Sequence, residues 1–326
     1  MSRVRHRLEE LYAIGATRVG GSSEEDAAHR LVAIWLQDAG LEVEVDAAGN
    51  TFGRRGDGRV WAGSHLDSVP NGGRFDGALG VVAAIEVAER IDAPFTVVAF
   101  RDEEREWTGS RARVAAGELP DAYLELHVEQ GPRLARADQP IGIVTAIFGH
   151  ARGQVVIEGR ADHAGTAPMD IRDDALVAAA GFVLKVRDAA MPGTVATVGR
   201  LVVEPGVPNV VPARVTASVD ARAGTAAELA QLVDTIGFLP EVRIEPVAMS
   251  GKPLAALRDA APGAFELPSG AGHDAGILAA AGVPTGMLFV RSLNGGVSHS
   301  PDELSSEEDI ERAIQVFGAA LDRISR

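Results

Sequence analysis

The chain of 326 residues contains no cysteine, and that absence removes a whole set of chemistries. Disulfides, zinc–thiolate sites, iron–sulfur clusters and cysteine nucleophiles are all excluded. Positive charge is short as well: 31 lysines and arginines face 46 aspartates and glutamates, a formal net charge of −15. No basic block offsets this balance, which argues against nucleic acid as a partner. No apolar run approaches the ~18 residues that cross a bilayer. The opening MSRVRHRLEE is charged and amphipathic, unlike a secretory signal. Repeats and low-complexity tracts are missing too. The expectation is a cytoplasmic protein with neither membrane nor nucleic acid as partner. What is present, 46% apolar and 24% charged residues, suits an ordinary folded chain, and the length suggests about two domains.

The first part of the chain alternates strand-like and helix-like segments. Ser23–Gly40 has the pattern of a helix with Ala27, Leu31, Ile34 and Leu36 on one face and Gly40 as its stop. Strands are expected at Leu41–Val45, Val60–Ser64, Phe95–Phe100 and Tyr123–His127, with a packed helix over Gly77–Arg90. Phe95–Phe100 is continuously apolar, as in a strand buried on both faces. This rhythm predicts an α/β domain: a mostly parallel sheet sandwiched by helices.

From about residue 140 the pattern changes. Long strands are expected at Ile141–Phe148 and Gln154–Gly159, a helix at Asp170–Arg187, strands at Thr194–Val203 and Ala213–Ala221, a helix at Thr225–Ile236 and a strand at Val242–Val247. These form an α+β two-layer unit. After Gly251–Pro253 the first rhythm returns, with a helix at Asp274–Ala281, a strand at Thr285–Val290 and a last helix from Ser306. The organisation predicted is a catalytic domain of residues 1–139 and 252–326, with residues 140–251 inserted as a second domain.

Five places put polar, metal-competent residues just after a buried strand or at a helix start, where open α/β sheets bind ligands. In GSHLDSVPNGGRFDGALG, His65 and Asp67 follow a strand, with Asp67 placed to orient the imidazole, and Asp76 opens a helix. A polar turn with a helix cap would produce the same pattern. In Asp102-Glu103-Glu104, one carboxylate could ligate a metal while its neighbour takes a proton; a solvated acidic loop is the plain alternative. His127 ends a strand with Gln130 behind it, and a lone histidine at a strand end is more often structural than a ligand. His299 lies in a glycine-rich loop, GGVSHSP. Gly270-Ala271-Gly272-His273-Asp274 begins a helix, suited to an anion or simply to capping. Taken together, three histidines and two or three carboxylates gather at one end of one sheet. Ligands of this kind without thiolate suit zinc, manganese or cobalt. Five exceed what one open zinc site takes and fit two ions sharing a carboxylate.

These tracts, with ELHVEQGP, GRADHAGTAPMDIRDDAL, VPNVVPARVTASVDAR, PSGAGHDA and GGVSHSPDE, resemble the dinuclear-metal amidohydrolases. That group comprises N-carbamoyl-L-amino acid hydrolases, allantoate amidohydrolases and β-ureidopropionases, within the wider family of zinc aminoacylases and di/tripeptidases. The resemblance implies hydrolysis of a C–N bond in an N-carbamoyl or ureido acid. It also implies two divalent ions per subunit (Zn, Mn or Co), a small-molecule carboxylate substrate and a homodimer joined through the inserted lid. By the same likeness Asp76 would bridge the ions, His65 and His127 would complete one site, and Glu104 and His299 the other. Glu103 would be the general base and Asp67 the orienter of His65. His163 would stabilise the oxyanion, reaching the partner's site. Gln130 would contact the carbamoyl or ureido group, and Asn209 and Arg222 would hold the substrate carboxylate. Peptidases of the wider family carry an acidic residue at the position of His127. An aminoacylase or dipeptidase, or an inactive binding homologue, remains an alternative; a full set of ligands, Glu103 and Arg222 speaks against the last. Two departures stand out. Asp102-Glu103-Glu104-Arg105-Glu106-Trp107 replaces the usual Asn-Glu-Glu-Gly tract and its following aromatic, and the segment from Glu104 to His127 is short. His150, where relatives often carry glutamine, has no assigned role.

Overall fold

The computed structural model describes residues 2–326 and comprises two compact units, one running to Thr145 and resuming at Ala248, the other spanning Ala146–Val247. The strands are β1 (Glu42–Val45), β2 (Thr51–Arg54), β3 (Val60–His65), β4 (Thr96–Phe100), β5 (Ala122–Val128), β6 (Ile141–Ile147), β7 (Gly149–Glu158), β8 (Val195–Glu204), β9 (Arg214–Ala223), β10 (Val242–Ile244), β11 (Val247–Ala248), β12 (Phe265–Ser269) and β13 (Thr285–Val290).

The nine-stranded sheet of the larger unit runs β1-β2-β4-β3-β5-β13-β6-β11, with β12 beside β6. Its centre is parallel: β3 lies between β4 and β5, and β13 follows β5 in the same direction. β2 and β6 pair antiparallel with this block. Every residue of β3, β4, β5 and β13 is buried, a pattern that needs cover on both faces. Helix Ala78–Arg90 shares its core with β3, β5 and helix Glu307–Ser325 through Val81, Val82, Ile85, Leu124, Leu126, Ile314 and Phe317. Gly80 allows the helix to come this close. A Cβ there would collide with the Leu126 carbonyl oxygen and the Ser64 side chain. The helix start, with Asp76 and Gly77, is thereby held at the C-terminal ends of β3 and β5.

The smaller unit is a four-stranded antiparallel sheet, β10-β7-β9-β8. Burial alternates along β9, one face packing on helices Ala175–Ala189 and Ala226–Ile236 through Ala151, Val186, Val219, Ala221, Leu229, Leu232 and Ile236. The other face presents His150, Arg152, Asp220 and Arg222. Among the described residues no helix is long and apolar enough to cross a membrane.

Several elements differ from the sequence expectation. The units divide at Thr145 and Ala248 rather than at residues 139/140 and 251/252, because Ile141–Ile147, expected to open the inserted unit, bonds to β13 in the larger sheet. Pro246 interrupts the expected strand Val242–Val247: only Val242–Ile244 pairs with β7, and Val247–Ala248 joins the larger sheet. The helix expected from Asp170 begins at Ala175, where Asp174 accepts the Leu176 and Val177 N–H groups as its cap, after a separate turn at Met169–Ile171. Gly251–Pro253 is the first turn of helix Gly251–Ala260, a position that tolerates proline. Helix Ser23–Asp38 buries Ala28, His29, Val32, Trp35 and Leu36 and leaves Ile34 exposed, so its core face is rotated from the one expected.

Candidate metal centre

The C-terminal ends of the parallel strands bring the expected cluster together. His65 is the last residue of β3, His127 lies one short of the end of β5, and Asp102–Glu104 follow β4. Asp76 precedes helix Ala78–Arg90, and His299 sits in the loop after β13, at φ 55. Asp76 is the centre. Its Oδ1 lies 3.1 Å from His127 Nε2 and 3.7 Å from His65 Nε2, and its Oδ2 lies 3.3 Å from His299 Nε2. Glu104 Oε2 is 3.4 Å from His299 Nε2. Two triads result, His65–Asp76–His127 and Asp76–Glu104–His299, with ligand atoms in each within 4.8 Å of one another.

Neighbouring groups aim these side chains. Asp67 Oδ1 lies 3.2 Å from His65 Nδ1, which turns Nε2 toward Asp76. The same carboxylate accepts the Glu103 and Glu104 N–H groups at 3.0 and 3.1 Å, so Asp67 holds both the imidazole and the acidic loop. His127 Nδ1 meets the Val128 carbonyl at 2.9 Å, which turns Nε2 toward the centre, where it also lies 3.3 Å from the Gly77 N–H. Glu103 Oε2 lies 3.8 Å from His65 Nε2. Gln130, with φ 55, donates from Nε2 to Asp76 Oδ2 at 3.1 Å and lies 3.3 Å from His299 Nε2.

Crowding governs the charges. Burial alone would raise the Asp76 carboxyl, but bonds and charge from His127, His299 and His65 hold it well below the carboxylate range. Burial pulls His65 down, yet Glu103, Asp67 and Asp76 carry it well above an ordinary imidazole. Its bond to Asp76, against burial, raises His299 to about 9. Glu103 is pushed well up by burial, with Asp274, Glu104 and Asp67 adding to it and His65 opposing. Glu104 is raised by burial and by Asp76. The site therefore concentrates more carboxylate charge than it can hold dry, and protonated imidazoles balance it. A divalent cation gives the same balance and takes the imidazoles as neutral ligands. The donor set fits such ions. Glu104 Oε1 and Gln130 Oε1 are moreover buried without a hydrogen-bond partner, and buried polar atoms in that state need one.

A third grouping, Glu125, His127 and His273, is already bonded within the protein. Glu125 accepts the Ser64 hydroxyl at 2.6 Å and the Ala275 N–H at 2.9 Å, and His273 Nε2 lies 2.9 Å from the Ser269 hydroxyl. The helix start expected to hold an anion at Gly270–Asp274 thus receives a carboxylate of the chain itself.

The other expected residues belong to the smaller unit. A bridge between His163 and Val210 and a bond from Ala164 N–H to the Asn209 carbonyl set His163 beside Asn209. His163 Nδ1 accepts the N–H groups of Gly165 and Thr166 at 3.0 and 3.2 Å, so a neutral ring carries its proton on Nε2. Arg222 lies opposite His150 on β7 and bonds Asp220 through Nε at 3.0 Å and through a terminal nitrogen at 3.2 Å. Asp220 also accepts Arg152 at 2.8 Å.

Three supporting residues had no legible signal beyond their charge. Buried Arg18 donates to the Leu66 and Gly15 carbonyls and steadies the strand-end loop of Asp67. Glu25 accepts the Asp102 N–H at 2.9 Å. Glu303, only 2% exposed, accepts the Phe75 and Asp76 N–H groups at 2.8 and 3.1 Å and the Ser298 hydroxyl at 2.8 Å, tying Asp76 to the His299 loop. Replacing Glu303 by alanine leaves buried donors unpaired, so urea unfolding should show a loss of about 1–3 kcal/mol. Glu303→Gln, which keeps an acceptor, should lose less; equal stability of the alanine variant and the wild type would refute the assignment.

The chain resembles known proteins over most of its length. The profile of peptidase family M20/M25/M40 matches residues 61–323. The N-carbamoyl-L-amino acid amidohydrolase of Geobacillus stearothermophilus is 38% identical over 399 aligned positions, covering 97% of this chain and 96% of that protein. An alignment longer than this chain's 326 residues means that the relative carries segments this chain lacks. The allantoate amidohydrolase of Bacillus subtilis is 32% identical, covering 95% of this chain and 93% of its own length. A crystal structure of a hydantoinase/carbamoylase family amidase from Burkholderia multivorans superposes with a TM-score of 0.87 at 31% identity, covering 99% of this chain and 98% of the other. The chain belongs to the M20/M25/M40 peptidase family and, within it, to the amidohydrolases that include N-carbamoyl-L-amino acid and allantoate amidohydrolases.

Proposed function

We propose that this amidohydrolase cleaves the C–N bond of an N-carbamoyl amino acid or a related ureido acid, using two divalent ions per subunit. The observation that carries the reading is the pair of triads sharing Asp76. His127 stands where peptidases of the wider family carry an acidic residue, which favours the carbamoyl branch. His65, Asp76 and His127 would hold one ion, and Asp76, Glu104 and His299 the other. Divalent ions there supply acidified water and a polarised carbonyl. Glu103, held beside His65 and raised in proton affinity by burial, takes the proton of the attacking water. The water oxygen bonds to the carbamoyl carbon, the C–N bond breaks, and Glu103 returns the proton to the departing nitrogen. His163 offers Nε2–H to the developing oxyanion, and Gln130 contacts the ureido group.

The test is a panel of N-carbamoyl amino acids, allantoate, ureidopropionate, N-acyl amino acids and dipeptides, assayed with Mn, Co or Zn. Turnover should favour the ureido substrates; preference for N-acyl amino acids or dipeptides would move the enzyme to the aminoacylase or peptidase branch. In the same assay Glu103→Gln should keep two metal ions per chain by elemental analysis and lose ~10²–10⁴ in rate. Near wild-type activity of that variant would remove Glu103 from its role.

Arg222 would read the substrate carboxylate with Asn209. The arginine already grips Asp220 through two nitrogens, so an incoming carboxylate takes over a geometry suited to carboxylates. Two charge-assisted bonds correspond to a drop in kcat/KM of at least about 10²-fold in Arg222→Ala. Arg222→Lys should recover only part, since an ammonium lacks the planar fork. Acid substrates should suffer far more than their amides; equal losses for both would show that Arg222 does not read the carboxylate.

The smaller unit would join two copies of the chain. It exposes Met169 at 76%, Val177 at 68% and Leu184 at 51%, and β8 is an unpaired sheet edge; a monomer seldom leaves such apolar surface and such an edge uncovered. Light scattering should give the mass of two chains, and Val177→Asp should shift it toward one. A wild-type chain that stays monomeric at micromolar concentration would overturn this reading.

A further inference from the structure

Trp107 takes no part in the mechanism above, yet its placement is unusual. Its backbone stands at φ 53, ψ 39, between the helical turn Glu103–Glu106 and helix Thr108–Ala116. A bulky residue in the left-handed region is an outlier, and such outliers persist where surrounding contacts hold them, often at functional sites. Two contacts hold this one. The indole lies against Gly272, where a Cβ would come within 2.6 Å of its Cζ2 atom. The Arg111 guanidinium stacks over the ring, 5.2 Å from its centroid.

The consequence is a single polar contact: Trp107 Nε1–H donates to Glu103 Oε1 at 2.9 Å. The second oxygen, Oε2, faces His65 Nε2 at 3.8 Å. The last bond of a glutamate side chain is a soft torsion, so a free carboxylate turns its plane readily. With one oxygen held by the indole, the plane is fixed and the other oxygen faces His65.

We propose that Trp107 is a positioning residue for Glu103: its indole N–H holds one carboxylate oxygen and so fixes the plane of the group, with the other oxygen turned toward the His65–Asp76–His127 triad and the reacting water. A tryptophan suits this task because it donates a hydrogen bond without bringing a cation that would compete with metal ions for the neighbouring carboxylates. The inference rests on the reading of Glu103 as the general base.

Trp107→Phe keeps a ring against Gly272 and removes the donor. In the metal-loaded enzyme kcat should fall about tenfold or more, the weight of one charge-assisted hydrogen bond. KM and metal content should stay at wild-type values, and the melting temperature should fall by no more than the few degrees one lost hydrogen bond costs. The second readout needs no turnover. The chain has three tryptophans, and ¹⁵N labelling reports each indole N–H; the signal absent from Trp107→Phe belongs to Trp107. Glu103→Gln should move that signal and leave those of Trp35 and Trp61 in place. A kcat within twofold of wild type in Trp107→Phe, a loss of rate that travels with lost metal or with a drop in melting temperature larger than one hydrogen bond explains, or an unmoved Trp107 signal in Glu103→Gln would each overturn the proposal. If Glu103→Gln instead remains active while the signal moves, the contact exists and the base assignment is what fails, so the two failures are separable.

Discussion

Asp76 is a carboxylate with 2% exposure that three imidazoles share, and the rest of the larger unit answers to the cost of keeping it ionised there. A buried charge persists only if it is paired and its backbone is fixed. Glu303 fixes the backbone by accepting the Phe75 and Asp76 N–H groups. Gly80 lets the following helix lie on the strands, which sets the distance from Asp76 to the ends of β3 and β5. β3 and β5 are adjacent and parallel, so His65 and His127 arrive from the same direction on the same side of the carboxylate. Exchange of any one of these supports would change the separation between the carboxylate and its imidazoles, and the charge balance depends on that separation.

In the tract after β4, two residues that differ from the usual family tract, Asp102 and Arg105, are bonded to each other. Asparagine takes up the left-handed conformation readily and carries no charge. Here the residue is Asp102, at φ 51 and 7% exposed. Its charge needs an answer, and Arg105, where a glycine is usual, provides it at 2.8 Å, while its terminal nitrogen reaches the Gly20 carbonyl. Thr108 donates to the other Asp102 oxygen at 2.6 Å. The acidic loop is thus gripped from outside by Arg105, Thr108 and Glu25 and from inside by Asp67, which leaves Glu103 and Glu104 facing the centre. The short segment that follows is spent on helix Thr108–Ala116 and a turn into β5.

The smaller unit follows a different rule. Its sheet buries one face on two helices and leaves the other polar. On that polar face the cations outnumber the anions: Arg152 and Arg222 share Asp220, and His150, paired in register with Arg222, is held below an ordinary imidazole by burial and then by the two arginines. A neutral His150 beside an arginine pair adds no further positive charge, which leaves the local field to Arg152 and Arg222.

The sequence by itself determined what periodicity and local chemistry can express. Continuous apolar runs such as Thr96–Phe100 and Thr285–Val290 are strands because nothing but a doubly covered sheet can bury them, and the polar residues behind them mark the ligand end of that sheet. The tracts that carry His65, Asp76, Asp102–Glu104, His127 and His299 stood out for this reason, each at a strand end, in the loop after a strand or at a helix start; the part each residue would play came from the family resemblance. Tertiary structure alone decided the contacts between distant segments. Ile141–Ile147 has a strand pattern that fits either sheet, and only the partner, β13, settles which. Arg18, Glu25 and Glu303 looked like surface charges, two of them in loops and Glu25 among the acidic residues of a helix's first turn; their work lies in bonds to Leu66, Asp102 and Asp76 that span tens to hundreds of positions. Local patterns name the groups able to do chemistry, because those depend on residue type and neighbours. Their orientation depends on hydrogen bonds between segments far apart in the chain, and these exist only once the sheet has set its order.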